Sequence, residues 1–512
     1  MDDPANGDGS RPSPLVIALL VSVFVVATCG LVYELLASTI ASYLLGDSVT
    51  QFSTVIGTYL FAMGMGSWVS RYVRGGAELA LFVRVEMLIA LVGGCCGAAL
   101  FMLFPYVASF RVVLYGIVFL IGAFVGLEIP LLMRILRGRY SFGETVSNVL
   151  TFDYVGALAA SLLFPLVLVP MIGLVRTGFL FGLMNIAVAM ALLWLLPRSK
   201  ALIADKVAAG AIALLLLAGM VGADRLQRWS EDALYQENVI YAVSTPYQRI
   251  ALTRGNGDLR LYLNGNLQFS SRDEYRYHEA LVHPAMGRVA QARNVLILGG
   301  GDGLAAREVL RHAGVSHITL VDLDPAVTRL FSTSSILTRL NHGALTDPRM
   351  HIINADAFGW IRDARERYDV VIVDFPDPVD FGVGKLYTDS FYRELARLLN
   401  PGGVVAVQST SPLVAPRSFW TVATTMEAAG FRTRAYHAYV PSFGEWGFTL
   451  ASLDAIPARV YLLAGNRFLN AATEARLFAF PPDMARRDVA VNRLDNQSLV
   501  RTFAAEWAAY DN

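Results

Sequence analysis

The sequence predicts a multi-pass α-helical membrane domain, then a small antiparallel β unit, then an α/β Rossmann-like domain. Three observations predict it. Up to about residue 222 the chain runs in long uncharged apolar stretches. From Glu237 it changes to short alternating runs broken by Asn-Gly turns. From Asn294 buried strands alternate with helical segments, and acidic residues stand where the strands end. The 512 residues are 55% hydrophobic and only 16% charged, whereas soluble domains carry about 25% charged residues. Lys+Arg and Asp+Glu number 42 each, which argues against nucleic-acid binding held by bulk charge. Cys29, Cys95 and Cys96 lie inside apolar runs and read as buried small residues, with no disulfide and no metal site expected. The domains expected are a flexible N-terminus over 1–14, a membrane domain over 15–223, a small β domain with a helix over 235–285, and a Rossmann-like catalytic domain over 286–512.

Crossing the hydrocarbon core as a helix takes about 20 apolar residues. Six runs qualify: Leu15 to Leu45, Phe52 to Val73, Leu79 to Phe104, Val112 to Met133, Val149 to Ile172 and Thr177 to Leu196. A seventh, Val207 to Ala223, is shorter and rich in Ala and Gly. The first is no cleavable signal peptide, because the segment before it holds three Asp and only Arg11 as a cation. Arg71, Arg74 and Arg84 share one connection, Arg134, Arg137 and Arg139 another, and Arg198, Lys200 and Lys206 a third; the alternate connections hold none, Arg111 and Arg176. That bias places the N-terminus in the cytoplasm. A cytoplasmic C-terminal half then requires six crossings, with the seventh segment along the interface or tucked in. Glu34, Glu86, Glu128 and Asp153 fall in or beside the apolar runs, as polar contacts between helices or as parts of a transport pathway.

In the second half, Val239 to Val243, Gln248 to Thr253 and Leu259 to Leu263 read as strands. Asn256-Gly257 and Asn264-Gly265 supply turns, since Asn-Gly accommodates positive φ. A helix follows through Tyr277, His278 and His283. Five further strands are Asn294 to Leu298, His317 to Val321, Met350 to Asn354, Val370 to Val373 and Val404 to Gln408. Asp322, Asp356 and Asp374 stand at or just beyond strand ends, where open α/β sheets bind ligands. The loop Gly299-Gly300-Gly301-Asp302-Gly303 with Asp322 about 20 residues on fits a ribose held by a carboxylate. A nicotinamide enzyme and an adenosyl-sulfonium enzyme both use that pattern. Asp302 favours the second, because a carboxylate in the glycine loop repels a pyrophosphate and attracts a sulfonium or ammonium; its plain alternative is a helix N-cap.

The ordered set of motifs resembles the spermidine synthase family, the polyamine aminopropyltransferases, in its membrane-fused bacterial type. The stretches that carry the resemblance are Tyr247-Gln248, Leu263 to Gln268, Asp273 to Pro284, Gly299 to Gly303, Arg307 to His312, Asp322, Asp356, Asp374-Phe375-Pro376-Asp377-Pro378, Leu386-Tyr387-Thr388 and Phe391-Tyr392. They lie between Tyr241 and Phe448. The resemblance implies a class I methyltransferase-type fold and transfer of an aminopropyl group from decarboxylated S-adenosylmethionine to putrescine, giving spermidine and methylthioadenosine. It implies Asp374 as proton acceptor. His278, Asp302 and Asp377 match polyamine contacts, and Gln248, Asp322, Asp356 and Ala357 match thioadenosine contacts. Gln268 and Tyr277 are candidate wall residues. Asp322 stands where most members have Glu. In the acceptor loop, Val440 to Phe448, Phe443 replaces a common Tyr, and Glu445 is a candidate for the far amine. The plain alternatives are a turn before Pro378 for Asp374 and Asp377, a packed helix residue for His278, an N-cap for Asp356, and core aromatics for Tyr439 and Trp446. No cofactor is expected beyond the donor as co-substrate. The expected partners are putrescine or a related diamine, the lipid bilayer and a second copy of the chain. The competing functions are a transporter or sensor with an inactive synthase-like domain, and a methyltransferase on the same fold.

Overall fold

An apolar segment withdrawn from water must pair its own N–H and C=O groups, and a helix does so within one segment. The first half of the chain consists of such helices. The computed structural model describes residues 14–45, 48–73, 76, 78–107, 109–136, 142–195, 200–235 and 237–510, so all but the last residue of the expected flexible N-terminus lies outside it. Two units separate at Val239/Ile240.

The first unit contains α1 (Pro14–Leu45), α2 (Ser48–Val69), α3 (Glu78–Leu103), α4 (Phe110–Leu136), α5 (Phe142–Leu163, continued by wider turns over Phe164–Ile172), α6 (Leu174–Leu195) and α7 (Lys200–Tyr235). Small residues let these helices approach closely. A Cβ on Gly66 would fall 2.0 Å from the Ala123 carbonyl oxygen, and one on Gly126 2.1 Å from that of Met63, so α2 and α4 cross backbone to backbone.

Among the described residues, six helices are long and apolar enough to cross a bilayer: Val21–Leu45, Glu78–Leu103, Phe110–Leu136, Gly143–Ile172, Leu174–Trp194 and Ile203–Gln227. The number matches the expected six, but one member differs. The expected run Phe52 to Val73 lies largely in α2, which opens on the polar residues Ser48, Thr50, Gln51, Ser53 and Thr54 and does not qualify. Val207 to Ala223, expected to be too short to cross, is the middle of the 36-residue α7. The 25-residue segment Ile203–Gln227, which includes Asp205, Lys206, Asp224 and Arg225, is about 37 Å long, against a core of about 30 Å. The reading of this segment as interfacial rested on its shortness, so it loses its basis. Charged residues flanking the run are paired to neighbouring helices, Asp205 with Arg84 at 3.2 Å and Asp224 with Arg176 at 2.7 Å.

The second unit holds two sheets. The smaller is antiparallel, in order β1 (Asn238–Ser244), β2 (Arg249–Gly255), β3 (Asp258–Leu263), β4 (Asn266–Ser270). Asn256 and Gly257 turn at φ 49° and 78°, and Asn264 and Gly265 at 49° and 82°, the positive values that a tight hairpin demands. Helix α8 (Glu274–Met286) follows.

The larger sheet uses β5 (Asn294–Gly299), β6 (His317–Asp322), β7 (Met350–Asn354), β8 (Tyr368–Asp374), β9 (Leu399–Gln408), β10 (Arg432–Val440) and β11 (Gly444–Ser452), in order β10-β11-β9-β8-β5-β6-β7. The four pairings among β5 to β9 are parallel, and β10 and β11 add an antiparallel hairpin at one edge. Val295 to Leu298, Val370 to Val373 and Val404 to Val407 are fully buried, as strands covered on both faces must be. The expected acceptor loop is therefore mostly strand, with only Pro441 to Phe443 left as the turn.

Candidate active site

The carboxyl ends of β5, β6 and β8 meet, and this sets the site. Gly299 ends β5 at φ 81°, directly across the ladder from Asp374 at the end of β8. From there the glycine loop turns into α9 (Leu304–Leu310). The loop passes so close to β6 that a Cβ on Gly301 would fall 2.6 Å from the Asp322 carboxyl. Its N–H donates to Asp322 Oδ2 at 3.0 Å, and the Asp324 N–H donates to Asp322 Oδ1 at 3.0 Å. Burial nevertheless outweighs these two bonds and pushes the Asp322 carboxyl up to about 6. Asp324 accepts from Gln248 Nε2 at 3.1 Å and from the Thr245 hydroxyl at 2.7 Å, which brings Gln248 to the end of β6.

Asp374 Oδ1 accepts from the Tyr277 hydroxyl of α8 at 2.6 Å. Burial raises its pKa, while His278 and the Tyr277 bond oppose the rise. Asp302 Oδ1 accepts from the Leu304 N–H at 2.9 Å, so it does tie down the start of α9. Burial pushes it up to about 6, His278 opposing and Asp374 reinforcing. Asp377 takes weak bonds of 3.3 Å from Gln408 Nε2 and from the Thr410 hydroxyl, and burial pushes it up to about 7. These four carboxyl residues keep partial solvent exposure.

His278 is buried next to them. Its Nδ1 lies 2.8 Å from the Glu274 carbonyl oxygen and 2.9 Å from Glu274 Oε2. Both partners only accept, so Nδ1 carries the hydrogen. Burial would lower the pKa of His278, but the Glu274 carboxylate prevails and pushes it up to about 8. Arg307 clamps Glu274 in turn, at 2.9 and 2.8 Å. Acids whose pKa values are raised, converging at sheet ends beside a glycine loop, are suited to gripping a substrate that brings positive charge.

The segment 274–458 matches the family model described as Spermine/spermidine synthase domain. The chain is 56% identical to "Polyamine aminopropyltransferase 2" of Ralstonia nicotianae, over 96% of this chain and 98% of the relative. It is 49% identical to "Polyamine aminopropyltransferase" of Leptospira interrogans over the same shares. The chain belongs to the polyamine aminopropyltransferase family. With 96% of the chain matched, the likeness extends through the helical unit. A crystal structure of spermidine synthase in complex with the transition-state analogue AdoDATO aligns over 48% of this chain and 85% of that one, at 27% identity and TM-score 0.44.

In this aminopropyltransferase the remaining expected site residues are placed unevenly. Asp356 caps the helix Ala357–Asp363 by accepting from the Phe358 N–H at 3.1 Å, and its other oxygen pairs with Lys385 Nζ at 2.6 Å. Ala357 is buried at the start of that helix. Gln268 donates to the Asn266 carbonyl of its own strand at 3.1 Å. Tyr277 does more than line a wall, since it donates to Asp374. Glu445 is set apart from the acids. It pairs with His437 Nδ1 at 2.8 Å, across the ladder from exposed Tyr439 and on the opposite face from Trp446. Trp446 is buried and donates from Nε1 to Gln408 Oε1 at 3.2 Å, and its ring lies 5.0 Å from that of Phe443.

Three contributors escaped the sequence reading. Gln408 ties Trp446 to Asp377 and also donates to the Phe375 carbonyl at 2.7 Å. Thr410 beside it sits at φ 60°, an outlier for a β-branched residue. The third is the Glu274–Arg307 pair, for which the i, i+4 spacing of Glu274 and His278 on one helix face was the available signal.

Proposed function

We propose that this chain transfers the aminopropyl group of decarboxylated S-adenosylmethionine to putrescine, giving spermidine and methylthioadenosine. The observation that carries this reading is Asp374, anchored by Tyr277 across from the glycine loop, with His278 close enough to shift its titration and Asp302 close enough to be shifted by it. The amine nitrogen attacks the carbon beside the sulfonium. The carbon–sulfur bond breaks with its electron pair going to sulfur, and the proton lost by nitrogen passes to the Asp374 carboxylate. Asp322, with Gln248 nearby, suits the ribose of the donor, while Asp302, Asp377 and His278 suit the amine chain. The test is product analysis of the purified protein with the decarboxylated donor and a panel of diamines. Methylthioadenosine and spermidine are expected with putrescine. Failure to release methylthioadenosine with any diamine overturns the reading.

Activity is expected to rise from pH 6 toward pH 9. An alkylamine with pKa about 10 is mostly protonated at neutrality, so each unit of pH supplies more nucleophile. The enzyme contributes in the same direction. Asp302 and Asp377, raised to about 6 and about 7, gain negative charge as pH climbs through those values, and His278 sheds its positive charge near 8. A kcat/KM for the diamine that stays level from pH 6 to 9 would count against this assignment.

We place the protein in the cell membrane as a multi-pass protein with its catalytic unit in the cytoplasm, where the decarboxylated donor is made. This placement needs an even number of crossings between α1 and α7. A reporter fused after Asn512 is expected to be active only in its cytoplasmic form. A reporter active only in the periplasm would show α7 crossing in the sense the loop charges then require, and would overturn the cytoplasmic placement.

A further inference from the structure

Inside the helical unit, a layer of polar side chains has no role in aminopropyl transfer. Glu86 on α3 and Glu128 on α4 are buried, 0% and 2% exposed, with their carboxyl groups facing each other. The two carboxyls are close enough to share a hydrogen bond, and among the described residues no other donor reaches Glu86 Oε1, Glu86 Oε2 or Glu128 Oε1. Two further buried groups are equally unmet, the Tyr33 hydroxyl and both amide atoms of Asn185. Tyr33 lies within electrostatic reach of both carboxyls, and its ring occupies the room left by Gly93, where a Cβ would be 2.6 Å away.

These groups share one depth. Helices α3 and α6 run antiparallel, with Leu174 against Gly97, Gly178 against Gly94 and Gly182 against Ala90. The next step along that seam brings Asn185 level with Glu86. Glu86 lies eight residues into α3, Glu128 eight residues from the end of α4, and Asn185 ten residues from the end of α6. Those counts put all three about 12–15 Å from the same end of the bundle. Arg84, two residues before Glu86, is committed to Asp205, and Arg176 to Asp224.

We propose that Glu86 and Glu128, with Tyr33 and Asn185, form a binding site for the ammonium group of an amine within the helical unit. Burying this many unmet polar groups is costly, so the layer calls for a partner that brings positive charge and hydrogen-bond donors. Beyond the contact between the two carboxyls, three of their oxygens lack a donor, and a primary ammonium supplies three N–H donors. Among the described residues, no group of three or more His, Cys, Asp or Glu side chains is placed to hold a metal ion.

The test counts bound putrescine by equilibrium dialysis of the full-length protein in detergent, using labelled putrescine. Two sites per chain are expected. The double variant Glu86→Gln with Glu128→Gln should keep one, with aminopropyl transfer within about twofold of the parent. Asp302→Asn with Asp377→Asn should instead keep the helical site. Tyr33→Phe, which removes a single hydroxyl, should weaken that site severalfold and serves if the double glutamine variant does not fold. Equal stoichiometry in the parent and the double glutamine variant overturns the proposal. So does a single site that the Asp302/Asp377 variant abolishes. Displacement of the helical-site label by equimolar sodium would mark an alkali-ion site and overturn the amine assignment.

Discussion

Asp374→Asn should lower turnover by about 10²–10⁴, the usual contribution of a positioned general base, while binding of methylthioadenosine stays intact. The amide fills the same space as the carboxylate, and its oxygen can still accept from the Tyr277 hydroxyl that anchors the residue. It cannot take up the amine's proton. The measurement pairs single-turnover kinetics with calorimetric titration of the nucleoside product. Near-parental turnover would remove Asp374 from the role of base and turn attention to Asp377, whose pKa also lies high.

Gly299→Ala is expected to cost about a hundredfold in turnover without unfolding the catalytic unit. At φ 81° an L-residue is strained, and its Cβ would fall 2.2 Å from the Asp374 carbonyl oxygen. A left-handed conformation costs about 1–2 kcal/mol. The neighbouring atom is backbone, so relief comes from shifting the end of β8 and the proton acceptor with it. A misplacement of about 1 Å at a reacting group costs about 10² in rate. Turnover within a few fold of the parent, with a normal thermal melt, would show that this ladder position does not set the geometry of Asp374.

Local patterns made much of this legible. Asn-Gly at 256–257 and 264–265 announced the hairpins, uninterrupted Val and Ile runs announced strands covered on both faces, and the glycine loop with Asp322 announced where the ends of β5 and β6 meet. What stayed hidden depends on contacts between distant residues. The hold of Arg307 on Glu274, and through it on His278, joins positions 33 residues apart. Gln408 links Trp446 to Asp377 over comparable separations. Glu445 went astray for a simpler reason. Read as loop, its direction was open. As part of β11 it must alternate with Trp446, and Trp446 points toward Gln408. In α7 the apolar run Val207 to Ala223 shows only the middle of the helix, which continues past Asp205 and Asp224, each paired with an arginine on another helix.

Carboxyl groups that titrate near neutrality have a calorimetric consequence. Around pH 6 to 7, Asp302 and Asp377 hold protons for part of the time. A polyamine needs them ionised, so its capture drives protons into solution. Association is then thermodynamically linked to solvent acidity. The heat measured on titrating putrescine should change with the ionisation enthalpy of the buffer, differing between phosphate and Tris at the same pH and the same Kd. The difference gives the number of protons expelled per molecule captured, and the share from the two carboxyls should fall as the starting pH is raised past 8.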